Sequence, residues 1–115
     1  MASVPDRWLS QIAAAATTEE IVVLASDYAH TLTEGERMRL PSNCLPPPFK
    51  SPQDVNAYAL VLTRAHLAFR GALSSEILLE RLMLFFATLS GRIAQIERFT
   101  RARGSVPDLR TRTRS

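Results

Sequence analysis

The sequence predicts an all-α protein, a small bundle of about four helices with a long C-terminal helix and a proline-rich connector. Every strongly patterned segment repeats its apolar residues at a period near 3.6, and none alternates as a half-buried strand does. Ser74 to Arg103 runs without a proline and is rich in Leu, Ala, Glu, Arg, Met and Gln, all good helix formers. Five of the seven prolines lie within residues 41–52, where they separate two helical halves.

Pro5 suits the first turn of a short helix over residues 5–15, with Asp6 beside it. Trp8, Leu9, Ile12, Ala15 and Ala16 form its apolar face, the indole closing one edge of the core. Thr17-Thr18-Glu19-Glu20 is a capping-box pattern that starts a second helix, running to about Thr33. Ile21, Leu24, Ala25, Tyr28 and Leu32 face inward, while Val23, Asp27 and His30 face away. Gly35 interrupts, and Glu36 to Leu40 adds one further turn before Pro41.

Residues 41–52, PSNCLPPPFKSP, read as a stiff strap in polyproline form, with Leu45 and Phe49 tucked into the core. Ser51-Pro52-Gln53-Asp54 then supplies a helix start, and that helix runs to about Arg70. Val55, Tyr58, Leu62, His66 and Phe69 share one face, with Leu60 and Leu67 on a second stripe nearly opposite. Two apolar sides place this helix at the centre of the bundle, antiparallel to the long helix through a tight turn at Gly71.

Ser74 and Ser75 cap the long helix, and Glu76 sits in its first turn. Leu78, Leu82, Phe85, Leu89, Ile93 and Ile96 form one stripe, widened by Leu79, Met83 and Phe86. Ile77 and Leu84 sit on the otherwise polar back, where a single packed neighbour cannot cover both surfaces. Ser90-Gly91 is a place for a bend or for close approach by another backbone. Residues 1–103 therefore read as one helical domain, and 104–115, beyond Gly104 and around Pro107, as a flexible Arg-rich tail.

Composition bounds the function. Hydrophobic residues at 46% and charged residues at 22% describe an ordinary folded chain, and the few aromatics suggest an aliphatic core. Residues 1–91 hold seven Lys or Arg against nine Asp or Glu, a net of −2; residues 92–115 hold seven Arg against Glu97 and Asp108, a net of +5. Basic character thus belongs to the C-terminal end. Its candidate phosphate contacts are Arg92, Arg98, Arg101, Arg103, Arg110, Arg112 and Arg114. There is no secretory signal pattern and no apolar run long enough for a membrane span, so a cytoplasmic setting is expected.

Catalytic chemistry finds little support. Cys44 is the only cysteine and has no adjacent base; His66 lies on an apolar helix face; His30 sits near Asp27 on a polar one. The four glycines at 35, 71, 91 and 104 build no phosphate loop. No catalytic residue, cofactor or metal site is assigned. The reading that remains is a non-enzymatic interaction module, forming a homo-oligomer or binding a helical protein through Ile77, Leu84, Leu60 and Leu67. The alternative is an accessory protein that binds DNA or RNA through the C-terminal arginines.

Overall fold

Local capping chemistry sets most helix starts in the computed structural model, which describes residues 4–68 and 76–111, with side chains in the last helix from Ile77 to Arg101. The helices are α1 (Asp6–Ala14), α2 (Thr18–His30), α3 (Glu34–Arg39), α4 (Pro52–Ala68) and α5 (Glu76–Thr111), with a 3-10 turn at Ser42–Cys44. No strand occurs among the described residues. At the start of α2, Thr17 Oγ1 accepts from the Glu20 amide at 3.2 Å, and the Glu20 carboxylate reaches back to the Ala16 amide at 2.6 Å. The start of α4 uses Asp54, whose Oδ2 accepts from the amides of Lys50 (2.8 Å) and Ser51 (3.1 Å).

Helix α2 stops at His30, earlier than its apolar pattern implies. The Thr31 hydroxyl donates to the Tyr28 carbonyl at 2.6 Å, and the chain then extends through Thr33. Thr33 forms a complete capping box with Glu36, so Gly35 lies inside α3 rather than breaking it. In the proline strap, Phe49 is buried as expected but Leu45 is exposed. The Tyr58 hydroxyl fastens the strap from below by donating to the Cys44 carbonyl at 2.6 Å.

Helix α5 is the element on which the others converge. Helix α1 runs parallel to it: Trp8 meets Phe85 at 5.4 Å, and further along the Ala15 carbonyl meets Arg92 at 2.8 Å. Helix α4 runs antiparallel, since Asn56 bonds Ser90 while Tyr58 packs edge-on against Phe86 at 4.8 Å. Helix α2 is also antiparallel, with Tyr28 stacked on Phe85 at 3.7 Å and residues 16–19 lining a cavity with Ile96 to Arg101. Helix α5 therefore occupies the centre expected for α4. Among the described residues nothing covers the second apolar stripe of α4, where Leu60 and Leu67 are exposed.

The core has an aromatic centre rather than the aliphatic one composition suggested. Six of the eight aromatic rings, Trp8, Tyr28, Phe49, Tyr58, Phe85 and Phe86, form one connected network. Such ring pairs each contribute about 0.5–1.5 kcal/mol beyond the area they bury. Phe85 and Phe86 are neighbours in sequence but point about 100° apart on the helix. Phe85 meets the rings of α1 and α2, and Phe86 those of α4 and the strap and, edge-on at 6.2 Å, Tyr28 of α2. Leu78, Leu79, Leu82, Leu89, Ile93 and Ile96 extend the buried stripe above and below.

The helical bounds of α5 reach Thr111, past Gly104 where the sequence pattern placed its end. Propagating an existing helix needs no new nucleus, and one glycine costs only about 1 kcal/mol. Pro107 also lies within these bounds, at the loss of one internal hydrogen bond. At 1.5 Å per residue α5 is a rod of about 54 Å, matching the 60 Å long axis of a molecule only 27 × 26 Å across it. The radius of gyration, 17.0 Å, exceeds the roughly 13 Å of a compact chain this long. The expected cap at Ser74-Ser75 and turn at Gly71 lie outside the described residues.

Two substitutions probe this spine in opposite directions. Phe85→Ala or Phe86→Ala should cost about 3–5 kcal/mol in urea unfolding followed by circular dichroism. Gly91→Ala should instead stabilise by roughly 0.5–1 kcal/mol, because a Cβ at Gly91 meets nothing within 4 Å.

Candidate interaction surface

The buried side of the α4–α5 pair contains Val55, Tyr58, Ala59, Leu62 and Ala65 from α4, facing the aromatic and aliphatic stripe of α5. At about 100° per residue, Leu60, Arg64 and Leu67 project from the opposite side of α4, and Ile77, Glu80, Leu84 and Gly91 from the opposite side of α5. Relative exposures follow this geometry: Leu60 50%, Leu67 62% and Ile77 73%, with Leu84 half-buried. The four apolar residues named from sequence thus fall on the outer face of one helical pair. Ala87 and Gly91 continue the face as exposed small residues.

One contact fixes how the two helices are registered. The Ser90 hydroxyl donates to Asn56 Oδ1 at 2.6 Å, so Asn56 lies level with Ser90. In an antiparallel pair this places Leu60 near the level of Phe86 and Leu67 near that of Leu79. Two charges interrupt the apolar surface, Arg64 exposed on α4 and Glu80 half-buried on α5. Among the described residues neither forms an ion pair, the one such pair being Arg81 with Glu36.

The basic end divides into an internal part and an external part. Arg92 is internal: its guanidinium donates to the Ala13 and Ala15 carbonyls at 3.2 and 2.8 Å and to Gln95 at 3.2 Å. It therefore satisfies carbonyls left open at the end of α1, where a cation is also favoured by the helix dipole. Among the described residues its buried Nε has no partner, an added cost of holding the side chain there. Arg98 and Arg101 are exposed on α5 at the level of the start of α2, with Arg101 beside a cavity of about 570 Å³ shared with Ala16 to Glu19. Arg103 and Arg110 lie within the helical bounds but outside the described side chains, and Arg112 and Arg114 lie outside the described residues.

A second clamp escapes sequence inspection. Arg81 donates to Glu36 Oε2 at 2.8 Å, joining α3 to α5 across 45 residues of chain. The Arg81 hydrogen bond is the largest cause holding the Glu36 carboxyl below its ordinary value, followed by the Thr33 amide that closes the capping box. Nothing local to either residue marks the pairing.

The remaining chemically capable groups are dispersed. Cys44 is fully buried, and burial pushes its thiol pKa up, which disfavours the reactive thiolate. His30 is exposed beside Pro46 to Phe49, lining a cavity of about 310 Å³, whereas His66 is half-buried on α4. Burial also raises the Tyr58 hydroxyl far above its ordinary range. Among the described residues no three His, Cys, Asp or Glu side chains converge as metal ligands, and no helix is long and apolar enough to cross a membrane. No family model matches the chain, and no curated protein or solved structure is significantly similar to it.

Both clamps give measurable expectations. Arg92→Ala should speed amide exchange in α1 well before exchange in α5 changes, because it frees the α1 terminus without opening the aromatic network. The folded Glu36 carboxyl titrates below its unfolded value, so its contribution is complete above about pH 4.5 and is lost as pH falls through the lowered value. Arg81→Met should flatten that acid limb in a series of unfolding midpoints against pH.

Proposed function

We propose that this chain is a small non-enzymatic helical interaction module whose working surface is the outer face of α4 and α5. The observation that carries the reading is the exposure of Leu60, Leu67 and Ile77, beside half-buried Leu84, on a pair of helices whose other side is fully packed. Single exposed apolar residues are ordinary on soluble proteins. Four on one registered face, interrupted only by Arg64 and Glu80 among the described charges, are a pattern that marks an interface. The physical task is helix-on-face docking, in which the partner removes apolar surface from water.

The test uses Leu60→Gln, Leu67→Gln, Ile77→Gln and Leu84→Gln in one chain, alongside the wild type. The variant should keep its helical circular dichroism and a melting point close to that of the wild type, since none of the four is fully buried. Proteins retained from cell extract by immobilised wild type, including its own untagged copies, should be lost from the variant. Equal retention by both would contradict the docking reading.

A second reading draws on Arg98 and Arg101, both exposed on α5. These arginines are available to phosphates in a way that Arg92 is not. An accessory protein for DNA or RNA would use this end, and no side chain on it suggests base stacking other than Phe99. Binding to duplex DNA should then weaken steeply with salt, and Arg98→Gln with Arg101→Gln should reduce the log–log slope by about two. A slope unchanged by both substitutions would rule this out.

A further inference from the structure

We propose that the occupant of the outer face is a second copy of this chain, related by a two-fold axis parallel to α4 and α5. The inference rests on the docking reading and names its partner. A rotation of this kind lays α4 of one copy over α5 of the other and preserves height along the helices. The level of each residue within one chain, fixed by Asn56 opposite Ser90, therefore fixes what it meets across the interface.

The match is specific. Leu60 arrives near the level of Phe86 and meets Leu84 of the other copy; Leu67 arrives near Leu79 and meets Ile77. Arg64 arrives near Leu82 and meets Glu80. Each offset is about 3 Å at 1.5 Å per residue, within reach of these side chains. The two charges that interrupt the apolar face become opposite partners, and every contact occurs twice across the axis. Leu60 to Leu67 and Ile77 to Leu84 share the same spacing of one heptad, as antiparallel helices packed through a seam require. At Gly91 a Cβ would meet nothing within 4 Å, leaving open space for the facing α4 to approach.

The size of the face sets the strength. Helix α4 has 17 residues, so two adjacent helices of about 10 Å diameter over about 25 Å present a footprint on the order of 500 Å². A standard stable interface buries about 800 Å² on each partner. The footprint is smaller than a standard interface, which fits a reversible association and not an obligate dimer.

Sedimentation equilibrium of the full chain over a concentration series tests the arrangement. The mass of wild type should rise from 12.8 kDa towards twice that value as concentration increases. Arg64→Glu and Glu80→Arg should each weaken association by about three- to tenfold, because each places like charges together at two sites. Both substitutions in one chain should restore it. Circular dichroism checks that each variant is folded, and Leu84→Glu serves as a further variant that removes the apolar contact itself. A dimer that Leu84→Glu dissolves but charge reversal leaves untouched overturns the two-fold arrangement and spares the surface. A dimer that survives Leu84→Glu overturns both. Wild type that stays at 12.8 kDa throughout overturns the second copy, and the retention experiment with the four-fold Gln variant then decides the docking face by itself.

Discussion

Two adjacent phenylalanines on α5 constrain the rest of the molecule. Phe85 is locked among Trp8 and Tyr28, and Phe86 among Phe49 and Tyr58, so both flanks of the helix are engaged at its midpoint. Once those rings are placed, α1 is held by Phe85, α4 and the strap by Phe86, and α2 between them, its Tyr28 touching both rings. The helix can no longer rotate to hide Ile77 or Leu84. Their exposure follows from how firmly the opposite side is held, since turning them inward would break the connected ring network. The apolar outer face is in this sense a product of the core.

What could be read from sequence was mainly what is local. The Thr17 and Asp54 caps and the buried positions of α2 and α5 depend on residues within a turn or two, and periodicity gives them directly. The second stripe of α4 was equally visible, yet its environment was not. A pattern of Leu60 and Leu67 looks the same whether a helix of this chain, a partner or water lies against it. That ambiguity put α4 at the centre of the bundle when α5 holds that position. Aromatic content misled for a related reason, because a composition counts rings without showing that six of them meet.

Charge shows the same division. All the arginines of the C-terminal end look alike in sequence, but Arg92 closes the end of α1 while Arg98 and Arg101 face outward. Arg81 ties α3 to α5 through Glu36. A guanidinium that satisfies backbone carbonyls or a partly buried carboxylate is fixed by tertiary structure, and its role can be read only when the distant element is in view. The candidate surface was legible as a list of four apolar residues. Its register, its two charges and its small-residue continuation needed the Asn56–Ser90 contact.

The most direct measurement is disulfide trapping between two single-cysteine additions, Leu60→Cys and Leu84→Cys, made in separate chains. Native Cys44 is fully buried and can be left in place. Under mild oxidation an equimolar mixture should form a covalent heterodimer, because the proposed two-fold arrangement sets position 60 of one chain against position 84 of the other. Either variant alone should remain uncrosslinked, its added thiols lying diagonally across the axis. No heterodimer on mixing, or equal crosslinking in the separate solutions, would contradict the account of α4 and α5 as a face built to pair with itself.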